Sequence, residues 1–265
     1  MKVLVTVKEV AEVEDDFEID GLDVAEAYLE YDLNEWDDYA VEEAVQLAED
    51  SDDDVEVVTV TVGPERSEET IRMALAKGAD RAIRVWDDRI EATDTLDVGA
   101  KTRLLSAVVE REAPDLVLTG VQASDDGFGA TGVSLADAIG YEWAAVVNAL
   151  DLDAEAGVAS VHRELEGGVE ELTEVDLPAV LTIQTGINEP RYASLRGIRR
   201  AQNKEIDVRG LDALGLDDDA LANPVRLTGM YEPESESDAT ILEGDAGEAA
   251  TRLAGTLREM GVGAE

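Results

Sequence analysis

Short apolar runs alternate with longer stretches in which apolar residues return every three or four positions. Val3-Leu4-Val5-Thr6-Val7 has the length and composition of a buried strand, predicted over residues 2–7. Residues 9–32 are acidic and irregular, with room for a short hairpin. Asn34 suits a helix N-cap, and Ala40, Val41, Ala44, Val45, Leu47 and Ala48 then form an apolar stripe. The acid run Asp52-Asp53-Asp54 ends that element. Residues 55–62 form a continuous, β-branched run, as in a parallel strand covered on both faces. Gly63-Pro64 turns the chain into a helix through Ile71, Met73, Ala74 and Leu75, which Gly78 is placed to end. A strand over 81–85 follows, then a helix from Thr93-Asp94 to about residue 111 and a strand over 116–119. Val133, Ala136, Ala138 and Ile139 mark a further helix beginning near Gly129.

This alternation predicts a Rossmann-like, doubly wound α/β fold with a mostly parallel sheet. Right-handed crossovers put the strand C-termini on one edge, where ligands bind. That edge collects residues 6–8, 62–63 and 120–131. The last of these is a loop with three glycines, Ser124 and two aspartates, between a strand and a helix. Such a loop leaves backbone N–H groups free at a positive helix end, which is how α/β folds hold phosphates. An ordinary βα loop is the equally weighted alternative. In the second half, residues 146–152, 158–165, 169–175 and 179–183 read as strands without long helices between them. Gly167-Gly168 signals a hairpin, so antiparallel strands are expected at the sheet edge. A C-terminal extension follows, loose around 233–238, with an amphipathic helix over roughly 245–260 carrying Ala249, Leu253 and Leu257 on one face.

Composition changes the picture in two ways. The 265 residues hold 21 basic and 63 acidic side chains, a net charge of −42, and the acids stud every segment. A surface this negative repels itself in dilute buffer and is relieved in molar salt, which suggests adaptation to a salt-rich cytoplasm. It also argues against nucleic acid or an anionic membrane as partner. The N-terminal apolar run is too short for a signal peptide or a membrane span, so a cytoplasmic location is expected. Second, there is no cysteine, hence no thiol catalysis or thiolate metal site. The single histidine, His162, lies in a predicted strand beside Arg163, where a structural role is expected. Neither a nucleophile elbow nor a lysine phosphate loop is present. Asp125-Asp126 suits either a hard cation or ordinary loop polarity, and Trp36 either a core position or a ring against a flat ligand. No acid–base or nucleophilic set assembles, which points to binding and carrying. One segment inverts the local sign: Arg191, Arg196, Arg199, Arg200 and Lys204 fall within 190–204 with no acid among them.

Four segments in order resemble the β subunit of electron transfer flavoprotein. They are Ala40-Val41-Glu42-Glu43-Ala44 after Asn34; Gly63-Pro64 with the stretch Glu69-Thr70-Ile71-Arg72-Met73-Ala74-Leu75-Ala76-Lys77-Gly78-Ala79-Asp80-Arg81-Ala82; Pro114-Asp115-Leu116-Val117-Leu118 with Gln122-Ala123-Ser124-Asp125-Asp126; and Asn188-Glu189-Pro190-Arg191-Tyr192-Ala193-Ser194-Leu195. The match covers residues 1–204, with a weaker echo in the last helix. The resemblance implies a Rossmann-like nucleotide-binding domain over 1–204 and a C-terminal arm and helix over 205–265 that packs on a larger α subunit. That α subunit holds most of an electron-carrying FAD. The heterodimer takes electrons from acyl-CoA-type or other dehydrogenases and passes them to a membrane quinone oxidoreductase. The β subunit buries an AMP or, in bifurcating members that oxidise NADH, a second FAD.

By motif matching the nucleotide site falls on Thr6; on Asn34, Glu35, Trp36 and Asp37; on Val62; and on Gly120, Val121, Gln122, Ala123, Ser124, Asp125, Asp126, Gly127, Phe128, Gly129, Ala130 and Thr131. Trp36 matches an aromatic that approaches the isoalloxazine of the α-subunit FAD. Leu195 matches the anchor of the loop that docks into dehydrogenases. Arg191, Arg196, Arg199 and Arg200 then offer positive charge to a partner within a repulsive field, or, alternatively, cap helix carbonyls. Some positions depart from the family pattern. Gly127-Phe128-Gly129-Ala130-Thr131-Gly132 matches neither the usual AMP-type nor the usual bifurcating wording, although Thr131-Gly132 leans towards AMP. Val121 stands where lysine is common and Arg196 where proline is usual. A stand-alone adenine-nucleotide-binding domain of similar fold is the reading from a different class.

Overall fold

The computed structural model describes residues 1–93, 95–232, 239–242 and 244–262. The chain opens with β1 (Lys2–Thr6), then β2 (Glu9–Val13), β3 (Ile19–Asp20), β4 (Asp23–Val24) and β5 (Leu29–Leu33). β2 pairs with β5 and β3 with β4, so the acidic stretch is a nested antiparallel hairpin beside the main sheet. α1 (Glu35–Asp50), β6 (Glu56–Val62), α2 (Glu68–Lys77) and β7 (Arg81–Val85) follow. Gly78 ends α2 at φ 147, a backbone region closed to most side chains. The single helix expected from Thr93 is instead two, α3 (Asp88–Glu91) and α4 (Val98–Glu112). Asp97 sets the start of α4 by accepting the Ala100 N–H at 2.8 Å, while Asp94 lies outside the described residues. Then come β8 (Leu116–Gly120), α5 (Thr131–Ile139), β9 (Glu142–Asp153), β10 (Val158–Leu165), β11 (Val169–Asp176) and β12 (Ala179–Ile183). α6 (Leu195–Ala201), β13 (Ile206–Arg209), α7 (Leu211–Leu214) and α8 (Ala246–Glu259) complete the chain.

Among the described residues one sheet has nine strands in the order β11-β10-β9-β12-β8-β1-β6-β7-β13. All are parallel from β9 to β13, and β10 and β11 extend the far edge antiparallel. The period of two along β1 divides the core. Val3 and Val5 face α1, α2 and α6 with Ala40, Ala44, Ile71 and Ala201. Leu4 faces α4, α5 and α7 with Leu104, Val108, Leu135 and Leu211. One expectation needs correction: β12 does not join an antiparallel edge. It lies inside the sheet, parallel to both β8 and β9, and is buried at every position. Its unbroken run Ala-Val-Leu-Thr-Ile has the composition of such a doubly covered strand.

After β1 the chain adds β6 and β7 on one side, then α4 returns it to place β8 on the other. The strand order therefore reverses between β1 and β8, and a crevice opens at their C-terminal ends.

The first compact unit spans Met1–Met230, later than the boundary expected at residue 204. β13 pairs with β7, and Leu211 and Leu214 are buried, which draws residues 206–214 into the sheet-bearing unit. The second unit is Tyr231–Glu265. In it, α8 is capped by Asp245, which accepts the Glu248 N–H at 2.9 Å, and it exposes Leu253, Leu257 and Met260. The loose stretch expected at 233–238 lies outside the described residues. Among those residues no helix is long and apolar enough to cross a membrane.

Candidate functional site

At the point of reversal one buried carboxylate joins the two strand ends. Asp37, in the first turn of α1, accepts the Lys8 N–H at 2.8 Å and the Gly120 N–H at 3.0 Å. Burial pushes this carboxyl up to about 7, against the pull of the Lys8 and Gly120 amides, the Asn34 side chain and the Lys8 charge. Gly120 has to be glycine, because a Cβ there would stand 2.6 Å from both Asp37 Oδ1 and Trp36 Cβ.

Beyond Gly120 the loop is held from two sides. Asn34 occupies the N-cap position of α1 but makes no capping bond. Its Nδ2 instead donates to the Gln122 carbonyl at 2.9 Å, and its Oδ1 accepts the Ser124 N–H at 3.3 Å. Asp126 Oδ2 accepts from Lys8 Nζ at 3.0 Å and from Lys101 Nζ at 2.5 Å, and Lys8 also donates to Asp125. Burial alone would raise the Asp126 carboxyl, but Lys101 and Lys8 outweigh it and hold the group at about 2. Gly127 and Gly129 both take left-handed backbone, φ 60 and 59. α5 then begins at Ala130 with no side-chain cap, so its first amides keep their hydrogen-bonding capacity. Gly132 in that first turn is wedged against the sheet: a Cβ would stand 2.5 Å from Thr119 Oγ1 and 2.7 Å from Thr182 Cγ2.

These elements enclose a pocket of about 710 Å³, open mouth included. Val60, Val62, Leu96 and Leu105 give it apolar walls, and Thr6, Lys8, Asn34, Asp37, Lys101 and Gln122 are among its polar lining. The structure brings Thr6, Asn34, Asp37, Val62, Gly120, Val121, Gln122, Ala123, Asp126, Gly129, Ala130 and Thr131 into this lining. Glu35, Trp36, Ser124, Asp125, Gly127 and Phe128 are outside it. Trp36 Nε1 donates to Gln184 Oε1 at 3.0 Å, beside the end of β12. Phe128 is exposed, with its ring 5.8 Å from Lys101 Nζ. Sequence reasoning put Lys8 on this edge without giving it a place in the nucleotide site, and missed Val60, Lys101, Leu96 and Leu105. A signal for both lysines was their rarity: there are five in the chain, and Lys8 directly follows the first predicted strand.

The basic segment divides. Arg191 is paired within its own chain. Its guanidinium meets Glu42 at 2.8 and 3.0 Å and Glu49 at 2.7 and 2.8 Å, tying the loop to α1. Arg196, Arg199 and Arg200 are exposed and form no ion pair among the described residues. They do not cap α6; Arg72 does, donating to the Ala201 carbonyl at 2.8 Å. Ser194 caps the other end through the Gly197 N–H at 3.0 Å. Gly197 packs where any Cβ would overlap the Ala76 carbonyl, so α6 sits directly on the end of α2. Leu195 is 78% exposed and Tyr192 98%, an apolar knob beside free positive charge. His162 lies elsewhere, 3.5 Å from Glu170 on the neighbouring strand.

A family model described as electron transfer flavoprotein domain matches residues 21–214. The electron transfer flavoprotein subunit beta of Methylophilus methylotrophus is 49% identical over 265 residues, covering 98% of this chain and 99% of that protein. The mitochondrial subunit beta of Oryza sativa subsp. japonica is 36% identical over 244 residues, covering 91% and 93%. That of Bacillus subtilis is 31% identical over 262 residues, covering 97% and 98%.

Proposed function

This chain belongs to the electron transfer flavoprotein family as a β subunit, and from that premise we propose that its switch-point pocket holds a structural AMP. Electron transfer is the function of the family. The uncapped start of α5 inside a pocket with apolar walls is the observation that carries the AMP assignment. The walls of Val60, Val62, Leu96 and Leu105 suit an adenine ring, and the α5 amides suit one phosphate. Thr6, Asn34, Asp37, Val62, residues 120–123, Asp126 and residues 129–131 make up the nucleotide site, with Ser124 and Asp125 fixing the loop through Asn34 and Lys8. AMP added to nucleotide-stripped chain in molar salt is expected to raise the melting temperature by roughly 5–10 °C at 100 times Kd, a coupling of about 2.7 kcal/mol. No shift at millimolar AMP overturns the assignment.

An FAD shared with the α subunit supplies the redox chemistry when bound. Trp36, oriented by Gln184, is the aromatic that this chain presents to it. Leu195, with Arg196, Arg199 and Arg200, docks the acyl-CoA-type or other dehydrogenases that donate electrons, and a membrane quinone oxidoreductase accepts them. Leu195→Ala is expected to cut electron transfer from such a dehydrogenase at least about tenfold while leaving flavin content unchanged, since a buried hot-spot side chain is worth ~2 kcal/mol or more. Stopped-flow flavin reduction reads both. The exposed Leu253, Leu257 and Met260 of α8 pack on the α subunit. The setting is a salt-rich cytoplasm, supported by the net charge of −42.

A further inference from the structure

Lys8 and Lys101 reach one pocket wall from separate elements, the end of β1 and the start of α4. Both ammoniums converge on a single oxygen, Asp126 Oδ2, and Lys8 also meets Asp125. The Lys101 and Asp126 side chains are 19% and 22% exposed, so solvent screens their pairing only in part. Two ammoniums against two carboxylates leave this group with no net charge. Among the described residues, no other basic side chain lines the pocket. The donors left over carry no charge: side chains such as Thr6, Gln122 and Thr131, and the main-chain amides at the start of α5, which suit one phosphate. A second phosphate would bring charge that nothing in the pocket offsets, beside Asp126, in a chain of net charge −42.

We propose that Asp126 is a specificity-determining residue, restricting this pocket to nucleotides with a single phosphate by keeping Lys8 and Lys101 from meeting a pyrophosphate. The inference rests on the adenine-nucleotide reading above. Asp126→Asn keeps the shape and removes the charge, which frees Lys101 and leaves Lys8 only Asp125, so two ammoniums face one carboxylate.

The test is equilibrium dialysis of the nucleotide-free full-length chain in about 2 M KCl, where nonspecific charge effects are screened. Wild type is expected to bind AMP at least about tenfold more tightly than ADP, and Asp126→Asn to shrink that ratio at least about tenfold by tighter ADP binding. Asp126→Ser, a smaller neutral side chain, moves the ratio the same way and serves if the Asn variant does not fold. A ratio unchanged in the folded variants, or equal binding of ADP and AMP by wild type, overturns the proposal. Inorganic phosphate and pyrophosphate separate its failure from failure of the adenine reading. If neither AMP nor ADP binds, but pyrophosphate binds Asp126→Asn at least about tenfold more tightly than wild type, the adenine reading falls and the charge selection stands. If neither nucleotide binds and pyrophosphate binds both proteins equally, the charge selection falls as well.

Discussion

Moved from molar KCl to about 0.1 M salt, the chain is expected to lose at least roughly 20 °C of melting temperature, because the screening length grows from ~3 Å to ~10 Å. The 63 acids outnumber the 21 basic residues threefold, so most carboxylates have no cation to pair with. The best-buried cations are already committed locally, Lys77 to Asp38 and Arg84 to Glu68. What remains is repulsion between acids such as Asp52, Asp53 and Asp54, all exposed. Circular dichroism melts across a KCl series give the answer. A melting temperature constant within a few degrees would remove the case for a salt-adapted surface.

Gly132→Val is expected to abolish nucleotide retention, weakening AMP binding at least about 100-fold, and to cost roughly 1–3 kcal/mol of stability through overpacking. The added Cβ alone meets Thr119 on β8 and Thr182 on β12, which are rigid strand residues in the middle of the sheet. Relief requires the first turn of α5 to move off the sheet, carrying Ala130 and Thr131 out of the pocket lining. Dialysis against AMP together with denaturant unfolding, both in molar KCl, separates the two effects. Wild-type affinity in the folded variant would show that the α5 amides do not hold the ligand.

Much of the fold was legible because strands such as β1 and β8 are built on short unbroken apolar runs, Val3-Leu4-Val5 and Leu116-Val117-Leu118. The pocket edge was legible for the same reason: parallel strands linked by helices bring their C-termini to one side. What periodicity does not carry is lateral order. The run at 179–183 reads as a strand in any position, and only the completed sheet places it between β8 and β9. Nor does it carry pairing between distant side chains. Arg191 looked like its neighbours Arg196, Arg199 and Arg200, but Glu42 and Glu49 on α1 take it up. Asn34 shows the finer limit: its backbone position at the head of α1 was readable, while its side chain serves Gln122 and Ser124 on the pocket loop. Lys8 and Lys101 lie far apart in the chain and become one feature only when Asp126 lies between them.

The most direct measurement is the nucleotide released when this chain, co-purified with its α subunit in molar KCl, is denatured and the supernatant is resolved by chromatography. A subunit that holds AMP at the junction of β1 and β8 predicts about one AMP per β chain and about one FAD per heterodimer, each retained at sub-micromolar affinity. Two FADs without AMP, or no nucleotide beyond the single flavin, contradicts it.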